Sequence, residues 1–109
     1  SFLSTKIGDR VKIDNLVHIG HNVQVGEDTR IAASSCIGGS CKIGKRVWIG
    51  IGCTIRDHVA IGDDCEVLIN SVLVSSIQDG TRVAGYYAVP NSSWLAFMKD
   101  IHKKYILRS

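Results

Sequence analysis

No stretch of this 109-residue chain approaches the roughly 18 consecutive apolar residues that a membrane-spanning helix needs. No charged and apolar leader opens it at Ser1, so no secretory signal is expected, and a start without Met fits a fragment or a processed chain. Its four cysteines lack C-x-x-C spacing, which argues against a zinc ribbon or a dithiol redox motif and for reduced thiols in a cytoplasmic protein. Charge of one sign is scarce too. The net charge is +3, and Lys and Arg are scattered apart from the tail KDIHKKYILR, too thin a footprint for nucleic-acid binding. What is present is a length suited to one domain, with 45% hydrophobic and 21% charged residues, enough to bury a core and unlike a disordered segment.

The dominant signal is a repeat. From Ile7, a step of six meets Ile13, Ile19, Val25, Ile31, Ile37, Ile43, Ile49, Ile55, Ile61, Val67 and Leu73, all aliphatic and all but the last β-branched. The residue after each is often Gly, as at Gly8, Gly20, Gly38 and Gly50. Four residues after each comes a mostly small side chain, from Val11 through Thr29, Ser35 and Cys41 to Ile77. A period of six smears around a helix but suits a short strand followed by a turn. The branched residue points inward, the small one fills the corner, and Gly is expected to ease the bend. This is the hexapeptide signature of a parallel β-helix. Three hexads make one triangular coil of 18 residues, so the frame predicts about four coils stacked at roughly 4.8 Å.

Cys41, Cys53 and Cys65 fall in the small inward slots and read as core filler on three different columns. The frame breaks near Asp79-Gly80, which sets a β-helix domain over 1–80 and an exit region over 81–109. There TRVAGYYAVP reads as an extended segment and NSSWLAFMKDIHKKYIL as a helix, capped by Asn91 or Ser92, with Trp94, Leu95, Met98, Ile101 and Tyr105 as its apolar stripe. A lone helix of that length is marginal in water, so it is expected to dock on a coil face or on another subunit.

The scaffold does not require every residue on it. Asp14 takes a slot usually held by Gly, and His21 and Asn22 occupy a turn. Seven residues separate Asp14 from His21, which predicts the two across a corner, with the carboxylate accepting from one imidazole nitrogen and the other free as a base. Gly39 lies 18 residues beyond His21, one coil above it, where its bare amide suits an oxyanion donor. His58 lies two coils from Asn22 on the same edge. Asp-Asn is ordinary turn chemistry, and a turn His is also a common solvated residue. His18 fits a surface residue equally well, and His102 reads as the polar face of the tail helix.

The segments KIDNLVHIGHNVQVGEDTRIAA, Gly38-Gly39 and IRDHVAIGDDCEV, with AVPNSSW after the last coil, resemble the UDP-3-O-acylglucosamine N-acyltransferases of bacterial lipid A biosynthesis. The resemblance implies a left-handed β-helix, against the usual right-handed crossover rule. It implies a homotrimer with sites in clefts between subunits. It assigns His21 as general base, Asp14 as the acid that orients it, and the Gly39 amide as the oxyanion donor. Asn22 and His58 match positions near the acceptor and the phosphopantetheine arm, and Asn15 and His18 of the same motif join them as candidate substrate-binding residues. The donor it implies is a thioester on acyl carrier protein, and the acceptor a nucleotide sugar. No tightly bound cofactor or metal is implied. The family carries a uridine-binding domain before the β-helix and more than one helix after it. A coenzyme A thioester and a smaller sugar-type acceptor therefore stand as alternatives.

Two other readings use the same scaffold. One is a non-catalytic trimeric module for binding or oligomerisation. The other is a relative of the γ-type carbonic anhydrases, which need three neutral His around an open zinc position. Here Asp57 stands two coils after His21, and Gly62 five residues further, where that pattern would place ligands.

Overall fold

A computed structural model describes residues 4–85 and 88–105 of the chain. Strands of two residues recur every six: β1 Lys6–Ile7, β2 Lys12–Ile13, β3 His18–Ile19, β4 Gln24–Val25, β5 Arg30–Ile31, β6 Cys36–Ile37, β7 Lys42–Ile43, β8 Trp48–Ile49, β9 Thr54–Ile55, β10 Ala60–Ile61, β11 Glu66–Val67 and β12 Val72–Leu73. They stack in three parallel sheets, ordered β1-β4-β7-β10, β2-β5-β8-β11 and β3-β6-β9-β12. The register is 18 residues, so Ile19 lies beside Ile37, Ile37 beside Ile55, and Ile55 beside Leu73, in the column the frame requires. The result is a left-handed parallel β-helix of about four coils.

Burial follows the period. Ile31, Ile37, Ile49 and Ile55 are at most 1% exposed, whereas Ile7 and Ile13 of the first coil are 45% and 41% exposed. The small slots do more than fill. Thr29 Oγ1 donates to Gly44 O at 2.7 Å, Ser35 Oγ to Gly50 O at 2.8 Å and Cys41 Sγ to Arg56 O at 3.0 Å. These inward hydroxyls and thiols satisfy corner carbonyls inside the prism, where an unpaired acceptor is costly.

The recurrent glycines serve a different purpose from the one expected. The left-handed turn conformation falls two residues later, on residues such as Arg10, Asn22, Ser40 and His58, with φ of 56°, 57°, 62° and 61°. The N–H groups of Ser40 and His58 are fixed to the previous coil, to His21 O at 2.8 Å and Gly39 O at 3.0 Å. Gly38 is needed for close approach between coils: a Cβ there would stand 2.4 Å from Asp57 N and 2.7 Å from its Cα.

The C-terminal end departs from the frame. Leu73 keeps the 18-residue register with Ile55, but Ile77 bridges Ile61, 16 residues away. Two residues are thus missing between Leu73 and Ile77, which moves Ile77 from the predicted corner slot to a strand position. The coil then continues past Gly80: β13, Arg82–Val83, pairs with β11 in the same 16-residue register and joins the second sheet. The segment expected to leave the helix at 81 is therefore still part of its wall. Helix α1 runs Asn91–Tyr105. Its first bond, Trp94 N–H to Pro90 O at 3.0 Å, makes Pro90 the boundary residue in place of Asn91 or Ser92. Residues 106 and 107 of the expected helix lie outside the described residues. No described residue of α1 is buried, so the expected docking on its own coil is not seen. Among the described residues, no helix is long and apolar enough to cross a membrane.

Candidate active site

One backbone turn, repeated three times per coil, makes three corners with different chemistry. The first carries an ion-pair ladder. Arg10 pairs with Asp28 through Nε and Nη2 at 2.8 and 3.1 Å, and Arg46 holds Asp64 the same way at 2.7 and 3.1 Å. These guanidinium hydrogen bonds hold both carboxyls below their ordinary range. The second corner is apolar, with Leu16, Ile51 and Ile69 exposed. The third carries His21 and Asn22, then Gly39 and Ser40, then Asp57 and His58.

On this third corner the 18-residue register stacks His21, Gly39 and Asp57 in one line and Asn22, Ser40 and His58 in the next. His21 thus shares its edge with Gly39, Asn22 and His58, as expected. The His21 ring lies over Gly39: a Cβ on Gly39 would be 2.8 Å from Nε2 and 3.1 Å from Cδ2 and Cε1. Asn22 Nδ2 lies 3.2 Å from His21 Nδ1. His58 lies about 10 Å along the edge, two coil spacings from Asn22, and its Nε2 is 3.8 Å from Asp57 Oδ2.

The Gly39 N–H has no acceptor among the described residues. On the ladder corner two amides at the same turn position are filled. Lys45 N–H donates to Asp63 Oδ1, and Asp63 N–H to Asp79 Oδ1, both at 2.8 Å. Each of those amides is thus filled by a carboxylate oxygen from the next coil. At Gly39 the residue 18 further on is again an aspartate, yet the Asp57 carboxylate lies 3.8 Å from Arg56 Nε and from His58 Nε2 instead.

Asp14 is not brought to His21. Its Oδ1 accepts from Asn15 N–H at 2.7 Å, and no hydrogen bond or ion pair joins it to His21 among the described residues. The reason is topological. The six intervening positions include all of β3, so Asp14 and Asn15 stand on the apolar corner and His21 on the next. His18 points outward from β3 in register with Cys36, the exposed thiol of the four. Trp48 is outward on β8 and 42% exposed, beside the Asp14 end of the second sheet. Sequence reasoning missed the Asn22 contact and the Asp57 carboxylate. Arg56 was the available signal for the latter, since it breaks the Gly20-Gly38 series. Among the described residues, no three His, Cys, Asp or Glu side chains converge to hold a metal ion.

The family model for bacterial transferase hexapeptide (six repeats) matches residues 4–39 and 40–73. A UDP-3-O-acylglucosamine N-acyltransferase of Bordetella pertussis is 36% identical over 105 residues, 95% of this chain and 29% of that protein. A probable UDP-3-O-acylglucosamine N-acyltransferase 2, mitochondrial, of Arabidopsis thaliana is 38% identical over 94 residues, 86% of this chain and 31% of that protein. The solved structure of a Neisseria gonorrhoeae serine acetyltransferase in complex with serine superposes with a TM-score of 0.72 at 25% identity, over 80% of this chain and 39% of that one. The chain thus spans about 30% of the length of these curated relatives.

Proposed function

Because the chain belongs to the bacterial hexapeptide-repeat transferase family, we propose that it is an acyltransferase that moves an acyl group from a phosphopantetheine thioester to an amine or hydroxyl of a sugar or nucleotide sugar. The thioester is carried by acyl carrier protein or coenzyme A and acts as a substrate. The observation that carries this reading is the His21 ring lying over Gly39, whose N–H is unfilled, whereas the amides of Lys45 and Asp63 at the same turn position hold carboxylate oxygens at 2.8 Å. His21 takes the proton from the acceptor as its nitrogen or oxygen attacks the thioester carbonyl. The tetrahedral oxyanion is held by the Gly39 N–H. Collapse expels the thiolate, which takes the proton back from the imidazolium. His58 on the same edge, His18 outward on β3 and Asn15 on the apolar corner are the proposed substrate contacts.

The working unit in this reading is a homotrimer. Leu16, Ile51, Ile69, Val72 and Val74 are exposed on the apolar corner and the face that runs from it to His21. Covering that surface with a second copy would place the His21 corner beside an interface. Asp14 then serves His21 of the next copy, stabilising the imidazolium by charge, because β3 separates the two within one chain.

The test is turnover of acetyl-coenzyme A and of a 3-hydroxyacyl carrier protein, with glucosamine and UDP-glucosamine acceptors. His21→Ala should lose roughly 10²–10⁴-fold while staying folded. Mixing unfolded His21→Ala and Asp14→Asn chains and refolding them together should restore activity at about a quarter of sites in random trimers. Full activity in His21→Ala would refute the base. Failure of the mixture to exceed either variant would refute the shared site. A second reading, a non-catalytic trimeric module, is favoured by the separation of Asp14 from His21, and wild-type chain inert with every thioester would leave it standing.

A further inference from the structure

We propose that Asn22 is a positioning residue that decides which ring nitrogen of His21 is basic. The proposal rests on the reading of His21 as the base. An amide NH2 can only donate, so with Asn22 Nδ2 at 3.2 Å the Nδ1 atom supplies the lone pair, and a neutral ring carries its hydrogen on Nε2. Nε2 is the ring atom nearest the Gly39 corner. A ring that presents Nε2–H there is a donor and cannot take a proton from an acceptor. A half-turn of the Asn22 carboxamide exchanges Nδ2 and Oδ1 with the heavy atoms nearly in place. Nδ1 then carries the hydrogen, Oδ1 accepts it, and the Nε2 lone pair faces Gly39. One side chain thereby holds His21 either as a donor or as a base.

The turn itself does not call for Asn. The corresponding corner positions one and two coils on are Ser40 and His58, in the same left-handed conformation, and Asp28 and Asp64 adopt it on the ladder corner. What Asn adds is a donor and an acceptor on one carbon within reach of the ring. Ser is too short to bond Nδ1, and an ionised Asp offers acceptors alone. Among the described residues no other side chain is bonded to Nδ1: Asp14 is on Asn15 N–H, and Asp57 faces Arg56 and His58.

The experiment uses the whole chain labelled with ¹⁵N-histidine. His21 is assigned by its loss in His21→Ala, and spectra are recorded with and without a ketone analogue of acetyl-pantetheine. Ring ¹⁵N shifts separate a protonated nitrogen from one with a lone pair. The expected wild-type result is a single neutral tautomer, Nδ1–H, with the analogue bound. Asn22→Ser should give a mixture of tautomers, with kcat lower by roughly tenfold and KM little changed. Asn22→Asp should restore both Nδ1–H and most of kcat, and Asp14→Asn should leave the ring shifts as they are. Identical ring shifts in wild type and Asn22→Ser would overturn the proposal. So would an Asn22→Asp chain that holds Nδ1–H and stays slow. If His21→Ala keeps its activity, the base reading fails alone, because the ring shifts still report whether Asn22 sets the tautomer.

Discussion

Two adjacent glycines separate folding from chemistry. Gly39 does not occupy the left-handed region, since the glycines with positive φ are Gly52 and Gly80. Gly39→Ala therefore costs no backbone strain. Its Cβ would lie 2.8 Å from His21 Nε2 and 3.1 Å from two ring carbons. Ordinary contact between such atoms is roughly 3.5–4.0 Å, so the ring must retreat by about 1 Å. It can, because it is an exposed side chain with solvent to move into. Stability should change by less than about 1 kcal/mol. Activity should fall by roughly 10²-fold, the usual effect of misplacing a catalytic group by about 1 Å, or about 2.7 kcal/mol of transition-state stabilisation. Alanine keeps the N–H, so the loss reports the ring's position and not the oxyanion donor.

Gly38→Ala meets backbone instead, at 2.4 Å from Asp57 N and 2.7 Å from Asp57 Cα. Neither atom can swing away, and the two coils must part. The cost should be roughly 1–3 kcal/mol, about 4–8 °C in Tm for each kcal/mol in a chain of this size. Thermal unfolding followed by circular dichroism, beside thiol release measured with a chromogenic disulfide, gives both quantities on the same samples. Wild-type kcat in Gly39→Ala would refute the placement of His21 over Gly39, and a wild-type Tm in Gly38→Ala would refute the close approach of the coils.

The ladder corner predicts acid sensitivity: Asp28 and Asp64 are depressed in the folded chain, so the unfolded chain binds protons first, and their contribution is complete above 3.8 and lost as pH falls through the folded values. Asp28→Asn with Asp64→Asn should flatten the fall of Tm below about pH 4, and an unchanged slope would show that the ladder does not set it. Of the four thiols, Cys36 should react at once with a chromogenic disulfide in the native chain, and Cys41, Cys53 and Cys65 only on unfolding. Burial also raises the Cys41 and Cys53 thiols, which further slows them; a fast phase that survives Cys36→Ser would contradict this packing.

The period of six was legible because one physical demand, an inward aliphatic on each wall, recurs without exception from Ile7 to Leu73. The shortening near the end was not, because Ile77 is aliphatic and satisfies either frame. The glycines misled in a different way. A turn and a close approach both favour Gly, and composition cannot say which one Gly38 serves. In a solenoid, nearness depends on an offset of 18 and not on short separations along the chain. That is why His21 and Gly39 could be placed together from counting, while the seven residues from Asp14 to His21 span a whole wall. The Asn22 contact was illegible for a further reason: neighbours in sequence meet or part according to the turn's rotamers, which no spacing records.

The three corners also explain how a uniform scaffold comes to have one reactive edge. Every turn presents an N–H that the sheet does not use. At Lys45 and Asp63 a carboxylate from the following coil closes on it, and the ladder beside it ties the coils together. The Gly39 turn has an aspartate at the same offset, but Asp57 is engaged sideways, toward Arg56 and His58. The amide is left without an acceptor and the space over it is given to the His21 ring, which only a glycine admits. The Gly39 turn thus differs from those at Lys45 and Asp63 in the direction of one carboxylate and the absence of one Cβ. Both changes give up a local stabilising contact, and an otherwise regular stack of coils can accept that at a single corner because its core bonds are made elsewhere, in the columns of Ile and Val.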